Sequence, residues 1–255
     1  ASPENEALLL EAASLNCGYA MAFLDYSPDT ASWAAAIYRK GRTYARRAVH
    51  EVLPGLDAAL ETSDLEAVRR ELQAVGREDL KLVYWLGMCW GGRINATKSI
   101  TDVADLPLVE ALMQRALELD EGFFFAGAHL LFGMMYAGRT EAVGGDPARG
   151  RTHYERALEL TGGRFLLGKV HYALNYAVSV QDPGLFIRLL EEVLAADPAE
   201  IDDDENRLVN QVSRDLATRL LDEVPLRFPD YRPAAAEEEE DEGAEDLEDL
   251  DLEDD

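Results

Sequence analysis

Apolar residues recur along most of this chain with the spacing of an α-helix. The segment that begins at Pro107 places apolar side chains at positions i, i+3, i+4, i+7 and i+8, and the segment that begins at Pro183 repeats this stripe. No stretch shows the alternation of period two that marks a strand between turns. The pattern therefore predicts an all-α fold. The two stripes consist of Val109, Leu112, Met113, Ala116 and Leu117, and of Phe186, Leu189, Leu190, Val193 and Leu194.

Proline, aspartate and serine mark where the predicted helices begin and end. An aspartate can cap free backbone amides, and a proline in the first helical position loses nothing by lacking a donor. The helix from Ala31 to Val52 is expected to end at Pro54-Gly55, and another helix is expected from His129 to Ala137. The remaining signals are starts at Asp146-Pro147 and Asp182-Pro183, a capping box from Ser63 to Glu66, and a stop at Asp197-Pro198.

One helix, predicted from Asp79 to about Ile94, is apolar on nearly every face. A helix of this kind is enclosed by its neighbours, so we expect it at the centre of the molecule. Its most apolar part, from Leu82 to Gly92, has about half of the roughly 20 residues that a membrane span needs.

A short phrase occurs three times, as Arg115–Asp120, Arg156–Thr161 and, more loosely, Glu192–Asp197. Such recurrence is typical of helix pairs that stack because no single pair can bury its own apolar face. The preceding helices share a small residue followed three positions later by a large one, with Gly87 and Gly133 as the small residues. The sequence predicts a tetratricopeptide-like bundle or solenoid of helical hairpins.

Charge divides the chain into two parts. Of its 255 residues, 47% are apolar, and the net charge is −26. The stretch from Ala234 to Asp255 holds 14 acidic residues and no Lys or Arg, which leaves −12 for the rest. We predict a helical domain over residues 1–233 and a disordered tail over 234–255, which either binds a basic partner or cations or serves only as a solvating appendage. The lack of an evident basic stripe argues against a nucleic-acid partner.

No motif indicates catalysis, a metal or a cofactor. The two cysteines, Cys17 and Cys89, lie in apolar helical contexts without metal-ligand spacing, and we expect buried free thiols. The sequence shows no HExxH, GxSxG, GxGxxG or phosphate-loop pattern, so we predict no catalytic residue, no bound metal, no cofactor and no enzyme activity. The four histidines, which we expect to be packed or surface residues, are His50, His129, His153 and His171.

The strongest candidate site is aromatic. Trp85 and Trp90 on the central helix are followed closely by the polar pair Asn95 and Lys98. A cleft with apolar walls and a few polar groups suits an amphipathic ligand, with Lys98 pairing with a carboxylate and the indoles contacting the apolar body. The alternative is that the aromatic residues simply pack in the core. The other members of the candidate site are Tyr84, Met88, Tyr136, Tyr172 and Tyr176.

The order of several short motifs, from about Leu8 to Leu226, resembles the T-component family of tripartite ATP-independent periplasmic (TRAP) transporters, often called TatT. The likeness depends on order and spacing, not on any single motif, and it excludes the acidic tail. The motifs are Tyr84–Gly87, Trp90, Ile94-Asn95, Ala104–Pro107, Arg115–Asp120, Gly144–Asp146, Tyr154–Leu158, Lys169–Ala177, Gln181-Asp182 and Leu208–Asn210.

The resemblance implies a periplasmic lipoprotein that associates with the substrate-binding P subunit of a TRAP transporter. In that family, helical hairpins enclose hydrophobic clefts and the protein assists in handling a hydrophobic or organic-acid ligand. It further implies self-association, with a homotrimer as the expected form. Contact with a membrane is expected only through a lipid anchor outside the present sequence. The start at Ala1 shows neither a charged n-region nor an apolar h-region, so we expect that any export signal has been removed or never existed.

A second interpretation is a general tetratricopeptide-like scaffold that binds a peptide or protein in a concave surface. Such a groove should present several Asn, Lys or Arg side chains from the first helix of each repeat. Those helices instead carry Trp85, Trp90, Met134, Tyr136 and Tyr176, which favours an enclosed apolar site.

Overall fold

The computed structural model of the chain describes residues 5–232, except for the side chains of Ile100 and Val143. Within that range it contains fourteen α-helices and no β-strand, so the predicted all-α fold class is confirmed. The acidic stretch from Ala234 to Asp255, for which we predicted disorder, lies outside the described residues.

The first half of the chain forms seven α-helices. The central helix, α5, begins later and ends later than the sequence suggested, because its last turn continues through Asn95. The bounds are α1 Glu6–Phe23, α2 Ala31–Val52, α3 Pro54–Glu61, α4 Leu65–Gln73, α5 Leu80–Thr97, α6 Ile100–Val103 and α7 Leu106–Leu119.

The second half contributes seven more α-helices and one π-helical segment, Tyr172–Ala177, which directly follows α10. Helix α8 contains a left-handed turn at Phe124, Phe125 and Ala126 and is regular from Gly127, two residues before the predicted start. The bounds are α8 Phe123–Ala137, α9 Pro147–Thr161, α10 Leu166–His171, α11 Pro183–Ala195, α12 Pro198–Ile201, α13 Arg207–Asp222 and α14 Val224–Arg227.

The predicted start signals at Asp146 and Asp182 are confirmed, since each carboxylate accepts a hydrogen bond from a backbone amide of α9 or α11. The predicted ends of α2 and α11 are confirmed. The sequence analysis missed that Pro54 and Pro198 also start the new helices α3 and α12, because proline fits the first turn. The capping residue of α4 is Asp64, whose carboxylate accepts from two amides. Ser63 has a left-handed φ of 54° and makes no such bond.

Helix α5 is the centre of the bundle, as predicted, and every residue from Leu82 to Gly92 is buried. The small residues of the repeated motif also act as predicted. A Cβ atom on Gly87 would lie 3.3 Å from Leu112 Cβ on α7, and one on Gly133 would lie 2.8 Å from the Tyr154 ring on α9. The first helix of each pair can approach the second closely only because these positions lack a side chain.

The prediction of free thiols is wrong, because Cys17 and Cys89 form a disulfide. Helices α1 and α5 pack side by side and bring the two Cα atoms to 5.5 Å, a separation that a disulfide spans. Gly41 of α2 covers this bridge, and a Cβ atom there would overlap Cys17 Sγ and lie 3.1 Å from Cys89 Sγ. A spacing of 72 residues gives no local signal of such a pairing.

Buried apolar residues form two cores. The first contains residues of α1, α2, α3, α4, α5 and α7 and of part of α8, and it includes the disulfide. The second joins the remainder of α8 to α9, α10, α11 and α13. Helix α8 contributes to both cores, and the place where they meet beside its C-terminal end is not filled.

Candidate ligand-binding cavity

A cavity of about 540 Å³ lies where the two cores meet. Its walls come from the connection between α1 and α2, the last turn of α5, the end of α8, the π-helical segment and α14. The lining consists of Leu24, Asp25, Tyr26, Ser27, Pro28, Ala31, Ala34, Asn95, Ala96, Thr97, Lys98, Met134, Gly138, His171, Leu174, Asn175, Val178, Ser179 and Arg227.

The connection between α1 and α2 is held by its own hydrogen bonds. Helix α1 ends at Phe23, and the Thr30 hydroxyl approaches the carbonyl oxygens of Leu24 at 2.6 Å and Ser27 at 2.9 Å. Hydroxyl side chains stabilise tight connections in this way. As a result Asp25 and Tyr26 are fixed on the cavity wall.

Asp25 is the acidic group of the lining, and it is half-buried. The Tyr38 hydroxyl of α2 donates a hydrogen bond to its Oδ2 atom at 2.5 Å. Burial raises the pKa of Asp25 to about 7, although the Tyr38 hydrogen bond acts in the opposite direction. Near neutral pH the carboxyl group is therefore divided between its protonated and ionised forms.

Tyr26 and His171 connect the two halves of the molecule across the cavity wall. The Tyr26 hydroxyl donates to the Met21 carbonyl at 2.5 Å and lies 3.2 Å from His171 Nε2. Burial lowers the pKa of His171 to about 4, so its ring is neutral at pH 7. Since the single hydroxyl hydrogen goes to Met21, we assign the proton of the ring to Nε2, which donates to the Tyr26 oxygen.

The π-helical segment brings polar groups to the opposite wall. The Asn175 side chain donates to the His171 carbonyl at 3.0 Å and also lines the cavity. The wider turn of a π-helix frees backbone groups and is frequent at functional sites.

Of the predicted site residues, only Asn95 and Lys98 line this cavity. Trp85 and Trp90 have 6% and 4% of their surface exposed, and neither belongs to the lining. The arrangement that we expected, with both indoles beside Asn95 and Lys98 around one cleft, therefore differs from the one observed. The reason is helical geometry, since the indoles project from the middle of α5 into neighbouring helices while its last turn reaches the cavity.

The buried aromatic residues of α5 have specific partners elsewhere. The Trp90 indole N–H donates to Asp105 at 3.1 Å, and the Arg42 guanidinium lies 3.4 Å from the ring centroid, a cation–π contact. Trp85 packs edge-on against Phe124 and against Tyr84. Met88 is also buried.

The three remaining tyrosines lie apart from the cavity lining. Tyr136 lines a second cavity of about 430 Å³, where its hydroxyl accepts a hydrogen bond from Arg149 at 2.9 Å. Tyr172 stacks on Tyr154, and its ring centroid is 5.3 Å from that of Tyr176. A role for these three tyrosines in ligand binding stays a prediction.

Sequence reasoning missed Asp25, Tyr26 and His171. One signal was present, because Asp25 follows the C-terminal end of α1, where the helix dipole is unfavourable to a carboxylate. The contact with His171, 145 residues away, could not be read from the chain.

Helix α2 carries a basic groove, which the sequence analysis did not recognise. The basic side chains of the groove recur at positions i, i+3, i+7 and i+11, so the helix places them on one face. They are Arg39, Arg42, Arg46 and His50. Asp57 pairs there with Arg46 at 2.7 Å and with His50 at 2.9 Å, which reduces the local positive charge. The groove, of about 470 Å³, is lined by Arg39, Arg42, Thr43, Arg46, Arg47, His50, Asp57 and Glu61.

A histidine pair lies between α8 and α9. His129 Nδ1 and His153 Nδ1 are 2.9 Å apart, and His129 Nε2 is 3.5 Å from Glu121. Burial lowers the pKa of His153 to about 4, which keeps that ring neutral. Among the described residues, no group of three or more His, Cys, Asp or Glu side chains is arranged to hold a metal ion.

No helix within residues 5–232 is both long enough and apolar enough to cross a bilayer.

Two comparisons with known proteins identify relatives of this chain. The chain is 22% identical over 242 residues to an uncharacterized protein of Treponema pallidum (strain Nichols), an alignment that covers 90% of this chain and 74% of that protein. The model of the TRAP transporter T-component family matches residues 1–228, which include the whole cavity lining. The chain therefore belongs to the TRAP transporter T-component family.

Proposed function

We propose that this chain is a periplasmic accessory protein that binds the P subunit of a TRAP transporter and holds a small organic ligand in the cavity between its two cores. The observation that carries the ligand-handling part is the cavity of about 540 Å³, which lies within the residues that the family model matches. T-components form a family of transporter components and not of enzymes.

The lining supports a hydrophobic or organic-acid ligand. Cavities of roughly 300–1,000 Å³ with apolar walls and a few polar groups are typical of small-molecule sites. Leu24, Met134 and Val178 supply apolar surface, and Lys98 and Asn95 can meet a carboxylate. These last two are the predicted site residues for which we propose direct contact with the ligand.

A periplasmic location agrees with the disulfide between Cys17 and Cys89. Disulfides persist in oxidising compartments such as the bacterial periplasm and are rare in the cytosol. Attachment through a lipid anchor belongs to the same proposal, as does assembly into a homotrimer.

An exposed aromatic surface is the contact region that we propose for the P subunit. Tyr19 stacks on Phe23 with 5.3 Å between ring centroids and meets Trp33 of α2 at 6.0 Å, and Trp33 has 51% of its surface exposed. Leu15, one turn before Tyr19 on α1, is 69% exposed. Clustered aromatic residues on a surface are typical of protein interfaces.

The experiment is sedimentation velocity of the full chain mixed with the P subunit of the same genome, at tens of micromolar. We expect a joint species that the double variant Tyr19→Ala/Trp33→Ala weakens by at least tenfold in Kd, as for loss of interface hot spots. The control is Leu208→Ala, which removes an exposed side chain from α13 and should leave the complex intact.

Absence of any joint species would contradict the proposed function and would favour the general scaffold. If the double variant instead dissociates a homo-oligomer and leaves the P-subunit complex unchanged, the aromatic surface is the self-association interface and the proposed P-subunit contact is wrong.

A further inference from the structure

Two groups of opposite charge face the same cavity from different elements. Asp25 follows α1, and Lys98 closes the last turn of α5. We infer that the cavity binds a small zwitterion with an apolar body, such as an amino acid with an apolar side chain, its ammonium group on Asp25 and its carboxylate on Lys98. This inference rests on the proposed ligand-handling function and makes the ligand class more specific.

Within residues 5–232, Asp25 has no cationic partner at salt-bridge distance. Its one hydrogen bond among the described residues comes from the buried Tyr38 hydroxyl. The neighbouring hydroxyl of Tyr26 is committed to the Met21 carbonyl and cannot donate to a second acceptor. Burial of an ionised carboxylate is costly without a compensating charge. A ligand ammonium group would supply that charge.

Lys98 is the cation that we assign to the ligand carboxylate. The other cation of the lining, Arg227, forms an ion pair with Glu223. Lys98 is exposed at the rim, and within residues 5–232 it has no carboxylate at salt-bridge distance. Its backbone is left-handed, with φ of 48° and ψ of 25°, a conformation that costs a lysine free energy. This conformation at the cavity rim is consistent with a functional constraint on the position.

The rest of the lining suits an apolar body. Leu24, Ala34, Met134, Leu174 and Val178 supply apolar surface to the same lining. A purely anionic ligand would leave Asp25 without a counter-charge, and a purely cationic one would leave Lys98 without one. Only a ligand with both charges satisfies both side chains.

The test uses three matched probes with the purified full chain and isothermal titration calorimetry at pH 8. L-phenylalanine carries both charges, 3-phenylpropionate lacks the ammonium group, and 2-phenylethylamine lacks the carboxylate. We expect L-phenylalanine to bind at least about tenfold more tightly than either analogue, since a charge-assisted hydrogen bond contributes at least that factor.

The variants assign each charge to its side chain. Asp25→Asn should weaken L-phenylalanine by at least about tenfold and leave 3-phenylpropionate unchanged or tighter. Lys98→Met should weaken L-phenylalanine and 3-phenylpropionate but not 2-phenylethylamine. The matched controls, Asp29→Asn and Lys81→Met, change exposed residues outside the lining and should have no effect.

The pH dependence is a second readout on the unaltered protein. The pKa of Asp25 is about 7, so L-phenylalanine should bind about tenfold more weakly at pH 6 than at pH 8. The other groups around Asp25 are Tyr26, Tyr38, His171, Lys98 and Arg227. Burial holds the pKa of Tyr26 and of Tyr38 well above 10 and lowers that of His171 to about 4, so none of these three titrates between pH 6 and 8.

Equal or tighter binding of 3-phenylpropionate would overturn the inference in favour of an organic-anion site. Equal binding of 2-phenylethylamine, or no binding of any probe at millimolar concentration, would also overturn it. A joint species with the P subunit in sedimentation, together with any of these results, would leave the accessory function standing and reject only the ligand class.

Discussion

Asp25 is a residue whose burial costs stability as the pH rises. Its carboxyl group is placed after a helix C-terminus, where an anion is unfavourable, and burial raises its pKa to about 7. In the unfolded chain the carboxyl group of Asp25 would have its ordinary pKa of 3.8. Folding therefore favours the protonated form, and the native state loses stability relative to the unfolded state as the pH rises from about 4 to about 7.

We expect Asp25→Asn to stabilise the protein at high pH. Asparagine keeps a carbonyl oxygen for the Tyr38 hydroxyl and does not ionise. Between pH 5 and pH 8 the free energy of unfolding of the variant should rise relative to wild type by up to about 2.5 kcal/mol. Urea unfolding at both pH values measures this. A constant difference between variant and wild type would contradict the raised pKa.

Gly41 is a residue at which close packing depends on a missing side chain. Gly41→Ala would place a methyl group against the Cys17 and Cys89 sulfur atoms, which cannot move independently. We expect a loss of about 1–3 kcal/mol in the free energy of unfolding, as for overpacked cores. The matched control is Gly18→Ala on α1, where a Cβ atom meets nothing within 4 Å and helix propensity should improve.

At the scale of elements, the disulfide joins the first helix to the central one. It closes a chain segment of 72 residues, and the chain-entropy treatment gives about 4 kcal/mol for a loop of that length. The segment includes α2, which packs against both α1 and α5.

We expect reduction of the Cys17–Cys89 disulfide to lower the urea midpoint of unfolding of the wild-type protein substantially. The reason is that the unfolded state regains the conformational entropy that the bridge removes. The double variant Cys17→Ala/Cys89→Ala should unfold at a similarly low midpoint with or without reductant. A wild-type midpoint that does not respond to reductant, with the thiols shown to be reduced, would contradict this expectation.

The repeated phrase also gains a structural meaning at this scale. Arg115 of α7 donates to the Val75 carbonyl at 2.6 Å, and the equivalent Arg156 of α9 pairs with Glu121. Each arginine thus reaches back to the connection that precedes its own helix pair. This shared role accounts for the recurrence of the phrase. The partners themselves differ, which accounts for the differences in the sequences around it.

At the scale of the whole molecule, the acidic stretch from Ala234 to Asp255 can be separated from the helical body in an experiment. We expect a chain truncated after Pro233 to keep its melting temperature within about 2 °C. The removed residues include no aromatic side chain, and their 14 like charges oppose compact packing. A drop of several degrees on differential scanning calorimetry would show that the stretch stabilises the body.

Much of the helical architecture could be predicted because its causes are local. The stripe on α7 and the capping aspartates Asp146 and Asp182 act within a few residues of their own positions, and the all-round apolarity of α5 required burial. Errors arose where one signal has two meanings. Proline ends one helix and equally starts the next, as at Pro54.

The candidate site was harder to predict for a physical reason. Asn95 and Lys98 were identified because they follow an apolar helix, yet Asp25 and His171 join them only when α1, α5 and α10 pack. The aromatic residues of α5 were the strongest chemical signal in the sequence, but a large buried side chain serves a core as well as a cleft. Composition does not distinguish the two.

The sequence by itself determined most of the helices, their pairing through Gly87 and Gly133, and the family, because these depend on periodicity, caps and short motifs in order. Only the tertiary structure decided the bridge between Cys17 and Cys89 and the membership of the cavity. Both require contacts between residues far apart in the chain, and such contacts follow from how whole helices pack against one another. No local pattern encodes that packing.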